Sequence, residues 1–322
     1  FLTITPKEKH WNFSQACVNI VISDFMGICP TKEVQPLTYF MSAVLGFVQG
    51  VAEFLPISSS GHLTLFQHFF GMPEPDQLFN VLLHFATLLA VCVVYWRDIW
   101  DMVVEFFAFF GDLFSRRSYR GNPPEARRMV LLIIVGTLPL FLVLPIKDKV
   151  EAFGGNPLFV CGALLITGCI LFLSDQMARG RKTARNATLL DVLLVGAAQA
   201  CATIPGLSRS GCTISAGMAR GFDRRFAVRY SFLMSLPAVL GATLLEVLDV
   251  VKAEGGVPAE SLPKYLLGMT IAAVVGYFSI QLVKLLADKG RFGAFAFYCW
   301  GAGALFILLN IMGWTFAPGT AA

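Results

Sequence analysis

The chain has 322 residues, 56% of them hydrophobic and only 14% charged, with a mean hydropathy of +0.67. A soluble domain carries about 25% charged residues, and one this apolar would expose large adhesive patches. The net charge of +4 is dispersed between apolar blocks instead of being gathered on one face, so no nucleic-acid partner is expected.

In chain order, residues 1–35 are set aside as an N-terminal extension without an assigned role. A broken apolar segment follows at 37–70. Leu78–Trp96 is the first block long enough to cross a hydrocarbon core of ~30 Å. Ile99–Phe114 is short and carries Asp101, Glu105 and Asp112, which suits an interfacial helix better than a span. Met129–Ile146 and Pro157–Ser174 are further crossings, and a second broken segment lies at 188–220. Tyr230–Val250, Tyr265–Leu286 and Phe292–Phe316 complete six crossings. The expected fold is an all-α polytopic membrane protein.

Charge placement orients it. Six Lys or Arg lie in 97–128, four in 179–185, four in 220–229 and three in 284–291, whereas 68–77, 147–156 and 251–264 hold zero, two and two. The four basic loops are therefore cytoplasmic, and both ends external. The eight cysteines form no CxxC pair and read as small hydrophobes.

The two broken segments are apolar at both ends and interrupted by Pro, Gly and Ser. A broken backbone at bilayer depth needs shielding by protein or a wet cavity, so each is expected to be a re-entrant helical hairpin. They also match at a constant offset. Gln49, Ala52, Ser58, Ser60 and Gly61 fall over Gln199, Ala202, Ser208, Ser210 and Gly211, 150 residues on. The charge count sends the first in from outside and the second from the cytoplasm. This predicts an inverted-topology repeat, with halves at 36–186 and 187–322 whose breaks meet near the midplane.

Chemistry concentrates in the breaks. Glu53 sits in an apolar stretch, where an ionisable group is a functional signal by default. Gln49 lies one helical turn earlier on the same face, and the two could hold a divalent cation or a water. Arg209 is the one basic residue that no loop explains. A central Arg costs ~2.5–3.5 kcal/mol to insert, so an anion should offset it: either Glu53 or a phosphate gripped by the guanidinium fork. Ser208, Ser210 and Thr213 add hydroxyls, and the following half-helix presents free N–H groups. Ser58, Ser59 and Ser60 beside His62 suit nucleophilic or acid–base chemistry. His84 could serve the site from the next helix or be a satisfied polar residue of the bundle.

Two stretches carry a family resemblance: Gln49-Gly-Val-Ala-Glu53-Phe-Leu-Pro-Ile-Ser-Ser-Ser-Gly-His62 and Pro205-Gly-Leu-Ser-Arg-Ser-Gly-Cys-Thr213. They resemble the motifs of the bacterial undecaprenyl-pyrophosphate phosphatase family, known for bacitracin resistance. The likeness runs over about residues 38–316. It implies hydrolysis of a C55 prenyl pyrophosphate lipid to the monophosphate, which recycles the carrier for cell-wall synthesis. It also implies a Mg²⁺ or Ca²⁺ requirement, residence in the bacterial inner membrane, a site open to the periplasm, and room for a homodimer. Position by position, Glu53 would be the acidic motif residue and a metal ligand with Gln49. Ser59 would be the candidate nucleophile, with a water as its rival, and His62 its base or acid partner. Arg209 would clamp the pyrophosphate, with Ser58, Ser60, Ser208, Ser210 and Thr213 around it. Gln49 stands where the family also places Glu, and an amide cannot act as a general base. The alternative function is a transporter or flippase for an anionic lipid or small anion, since broken helices in inverted repeats also build transporters.

Overall fold

Two pairs of short helices are set within a cage of longer ones. The computed structural model describes residues 37–70, 72, 77–114, 124–177, 180–252, 260–290 and 292–311. Among these residues the regular structure is helical, apart from a single bridge between Lys182 and Phe222.

The first pair is α1 (Tyr39–Ala52) and α2 (Ser59–Phe69). The first crossing, α3 (Gln77–Val94), is followed by α4 (Trp96–Phe114), α5 (Glu125–Thr137) and α6 (Pro157–Met177). The second pair is α7 (Leu189–Cys201) and α8 (Arg209–Ala219), followed by α9 (Arg224–Lys252), α10 (Leu262–Asp288) and α11 (Gly293–Ile311). Six stretches are long and apolar enough to cross a membrane: Gln77–Val94, Glu125–Ile146, Pro157–Gln176, Arg224–Leu245, Leu262–Asp288 and Gly293–Ile311. Their outer faces carry Leu89, Val93, Ile134, Phe278 and Phe297 exposed, as a lipid-facing surface requires. The chain is a multi-pass membrane protein.

The second stretch keeps α-geometry only to Thr137 and continues to Ile146 in 3₁₀ turns. Pro139 and Pro145 lack the N–H that an α-helix would use there, so the chain tightens. Helix α4 starts at Trp96, three residues before the expected Ile99. Its Asp98, Glu105 and Asp112 face inward to Arg229 and Arg127, while Trp100, Val104 and Phe107 are exposed on the other side. That amphipathic split is the one expected of an interfacial helix.

Both broken segments start alike. The Thr38 hydroxyl accepts from Met41 N–H at 3.2 Å, and Thr188, 150 residues on, accepts from Asp191 N–H at 3.1 Å. These caps satisfy N–H groups that open a helix. No leg exceeds 14 residues, or ~21 Å at 1.5 Å per residue. None alone can span ~30 Å of hydrocarbon.

Each first leg docks by its backbone on a long helix. A Cβ on Gly46 of α1 would fall 2.4 Å from the Gly268 carbonyl oxygen of α10. One on Gly196 of α7 would fall 2.0 Å from the Gly136 carbonyl oxygen of α5. Gly46 and Gly196 are again 150 residues apart. In lipid, where apolar burial between helices brings little gain, close backbone approach through small residues supplies the packing.

The basic loops meet at one end of the bundle. Arg229 bridges Asp98 and Glu125, Lys182 and Arg220 both reach Asp191, Arg224 reaches Asp175, and Arg225 reaches Asp288. Arg128 donates to the Ala184 and Ala187 carbonyls at 2.7 Å each.

Gly46→Ala and Gly196→Ala are each expected to cost about 1–3 kcal/mol, because the added methyl meets a carbonyl oxygen that cannot rotate away. Thermal unfolding in detergent reads the loss. Gly162→Ala is the control, since a Cβ there meets nothing within 4 Å. Equal midpoints for all three variants would refute the backbone docking.

Candidate active site

The site forms where the two breaks touch. Freed backbone groups at each break are taken up by the other segment or by a crossing helix. The Ser58 hydroxyl donates to the Leu207 carbonyl and the Ser210 hydroxyl to the Leu55 carbonyl, each at 3.4 Å. Ser208 N–H donates to Thr167 Oγ1 of α6 at 3.2 Å. The Cys299 thiol of α11 lies 3.7 Å from the Pro56 carbonyl. This is the shielding that irregular backbone at membrane depth requires.

Ser58 and Ser208 are equivalent caps. Ser58 Oγ accepts from Gly61 N–H at 3.2 Å, and Ser208 Oγ accepts from Gly211 N–H at 3.1 Å. Each is also near the serine two residues on, at 3.5 Å for Ser58–Ser60 and 3.3 Å for Ser208–Ser210. They differ in backbone. Ser58 lies at φ +72°, a region a side chain enters at a cost, whereas in the second break Gly206 takes the left-handed turn at φ +93°.

Glu53, the first residue after α1, is buried and gathers the chemistry. Its Oε1 accepts from Arg209 Nη2. Its Oε2 accepts from Ser59 Oγ at 2.8 Å and from Gln49 Nε2 at 3.0 Å, and His84 Nε2 lies 3.5 Å away. Ser59 and Arg209 are the first residues of α2 and α8, and they stand 150 positions apart. The same repeat position thus delivers a hydroxyl to one carboxylate oxygen and a guanidinium to the other. Thr203 occupies the position equivalent to Glu53, so the acidic group is single.

The remaining residues divide. Ser58, Ser60, Ser208 and Ser210 line the junction of the breaks. Thr213 turns its hydroxyl to the Arg209 and Ser210 carbonyls, at 2.9 and 3.3 Å, and to Ser231 of α9. Thr213 therefore braces the first turn of α8 instead of projecting from it. His62 was expected beside Ser59 as its proton partner, yet no hydrogen bond joins them among the described residues. Its Nδ1 lies 2.8 Å from the Ser58 carbonyl and its Nε2 2.9 Å from the Tyr298 hydroxyl of α11. Glu53 takes the place beside Ser59 because α1 ends there, one short turn before α2 begins. His84 is in the site, and Tyr298 joins it through His62, from which it is 236 residues away. No local signal marks a tyrosine within an apolar span.

The donor set for a cation is partial. Among the described residues no group of three or more His, Cys, Asp or Glu could hold a metal. Gln49 Oε1 is buried and finds no hydrogen-bond partner among the described residues. An acceptor-only oxygen beside a carboxylate fits a hard cation that draws its other ligands from phosphate and water.

A family model described as Bacitracin resistance protein BacA matches residues 42–305. An undecaprenyl-diphosphatase of Alkaliphilus metalliredigens is 37% identical over 278 residues, 86% of this chain and 100% of that protein. Proteins of the same description from Methanosphaera stadtmanae and Syntrophotalea carbinolica are 36% and 38% identical, covering 86% and 85% of this chain and 99% and 100% of their own length.

Removing either side of the Glu53–Arg209 pair leaves a charge without its partner at depth. Glu53→Gln and Arg209→Gln should each destabilise the fold by about 3 kcal/mol. The double variant should recover about 1 kcal/mol or more of the summed loss. Unfolding midpoints in detergent read this, and simple additivity would exclude the pair as a coupled unit.

Proposed function

Because the chain belongs to the Bacitracin resistance protein BacA family, we propose that it works at the meeting point of its two breaks as an undecaprenyl-diphosphatase. It hydrolyses undecaprenyl pyrophosphate to undecaprenyl phosphate and inorganic phosphate. The observation that carries the site is the sharing of one carboxylate by Ser59 and Arg209.

The arrangement is a resting state that substrate can exchange. A diphosphate offers Arg209 two oxygens in the geometry of its fork, better matched than one oxygen of Glu53. The N–H groups opening α2 and α8 add positive dipole ends for the same phosphates. Once Arg209 moves to phosphate, Glu53 keeps Ser59. Ser59 Oγ then attacks the terminal phosphorus while its proton passes to Glu53 Oε2. The bond from that phosphorus to the bridging oxygen breaks, and the prenyl monophosphate leaves with the electron pair. Glu53 passes that proton to the departing monophosphate. Water then loses a proton to Glu53 as it attacks the phosphoserine. The P–Oγ bond breaks, Ser59 Oγ takes the proton back from Glu53, and inorganic phosphate is freed. Direct attack by water on the substrate uses the same groups without the covalent step. Most of the catalysis is positioning and charge stabilisation, as for phosphoryl transfer in general. Glu53 and Gln49 Oε1 would hold a Mg²⁺ or Ca²⁺ ion, which supplies charge neutralisation of the phosphate oxygens.

The basic end of the bundle is assigned to the cytoplasm by the positive-inside rule. The first hairpin then enters from the opposite face, and the halves 36–186 and 187–322 form an inverted repeat. That puts the mouth of the site on the outer side of the cytoplasmic membrane, with the prenyl tail left in lipid. A transporter would bind the same anion without cleaving it, and the Ser59–Glu53 hydrogen bond favours cleavage.

Purified protein in detergent, where no gradient exists, should release phosphate from a C55 prenyl diphosphate and lose that activity to a chelator. Arg209→Ala and Glu53→Gln should each slow release by about a hundredfold or more, the scale of one charge-stabilising group. Ser59→Ala should do the same. Near-normal turnover by Ser59→Ala would remove the covalent step and leave attack by water. No release by the unmodified protein would favour the transporter.

A further inference from the structure

His62 is a site residue whose neighbours leave it one usable nitrogen. Its Nδ1 lies 2.8 Å from the Ser58 carbonyl, which only accepts, so Nδ1 carries the proton of the neutral ring. Ser58 itself takes a left-handed backbone, at φ +72°. Nε2 is then the basic nitrogen, and it lies 2.9 Å from the Tyr298 hydroxyl, which donates to it. The two rings stack, with centroids 5.7 Å apart and planes inclined by 17°. Helix α11 is held against the same break one residue later, through Cys299 and the Pro56 carbonyl.

Tyr298 is not an interior residue. It is 47% exposed on the outer surface of a crossing, whereas His62 is 5% exposed. A phenol hydroxyl in apolar surroundings needs a partner, and His62 provides it. Ser60, one position from the Ser59–Glu53 bond, is exposed as well. His62 therefore lies between the first turn of α2 and a ring open to the surface of the bundle.

We infer that Tyr298 is a positioning residue for the phosphatase. It holds Nε2, which the Ser58 carbonyl leaves as the basic nitrogen, toward the α11 side, away from Glu53 and Ser59. A phosphate oxygen entering from that side replaces the Tyr298 hydroxyl as the partner of Nε2. Tyr298 thus stands in for substrate in the free enzyme, as Glu53 does at Arg209. The inference rests on the phosphatase reading and adds a residue to its machinery.

The test compares Tyr298→Phe, which keeps the stacked ring and removes the hydroxyl, with Tyr298→Leu, which removes both. Phosphate release from a C55 prenyl diphosphate is followed in single turnover with enzyme in excess, so that slow variants remain measurable. Tyr298→Phe should lower the maximal rate about tenfold, keep the half-saturating enzyme concentration within about twofold and leave the unfolding midpoint in place. Tyr298→Leu should be slower still. His62→Ala with Tyr298→Phe should be no slower than His62→Ala alone, because the hydroxyl acts through the imidazole. Tyr277→Phe, on the preceding crossing, controls for loss of any membrane tyrosine. A wild-type rate for Tyr298→Phe, or a Phe effect that persists in full on His62→Ala, overturns the inference while leaving the phosphatase intact. An unmodified enzyme that releases no phosphate overturns both.

Discussion

The carboxylate of Glu53 is the constraint on which the structure turns. It sits at bilayer depth, where a lone charge would not be tolerated, and it is met by a guanidinium from a segment 156 residues away. Neither group could be kept there without the other. The pair therefore ties the two breaks together and sets their distance. Everything that lines the junction — the capping serines, the hydroxyl of Ser59, the amide of Gln49 — is placed by helices that start or stop within a turn of it.

The broken backbone supplies that placement. An uninterrupted helix spends its N–H groups on itself. A leg that begins at mid-depth presents them, and two legs begin here, at Ser59 and Arg209. Their cost is borne by cross-bonds between the segments and by Thr167, which receives the Ser208 N–H. The same geometry that would leave unpaired groups in lipid is tolerated once protein surrounds it, and a helix N-terminus of this kind is a general anion-binding feature.

The halves match in scaffold and differ in chemistry. Thr38 and Thr188 cap equivalent legs, Gly46 and Gly196 dock equivalent backbones, and Ser58 and Ser208 cap equivalent second legs. Glu53 faces Thr203 in the repeat and Ser59 faces Arg209. A single acid shared by two dissimilar partners makes the site asymmetric: a hydroxyl on the Ser59 side and a guanidinium on the Arg209 side. Symmetric residues would have put two carboxylates or two cations together, and like charges at depth repel.

The sequence by itself determined the membrane, the crossings and the breaks. Hydropathy is a sum over neighbours, and Pro, Gly and Ser interrupt it locally. Glu53 and Arg209 were legible for the same reason, as charges with no loop to explain them. Span ends moved by a few residues, because a helix continues past the lipid into its loops, as α9 does from Arg224. Only the tertiary structure decided who bonds to whom. Ser59 lies six residues from Glu53 and three from His62, and spacing favoured neither. The turn between α1 and α2 chose Glu53, because it folds the end of one leg onto the start of the next. His62 was then free for Tyr298, a partner 236 residues away on a helix whose register no local pattern reveals. Apolar periodicity shows that such a helix crosses; the packing of α11 on the break shows which of its residues reaches the chemistry.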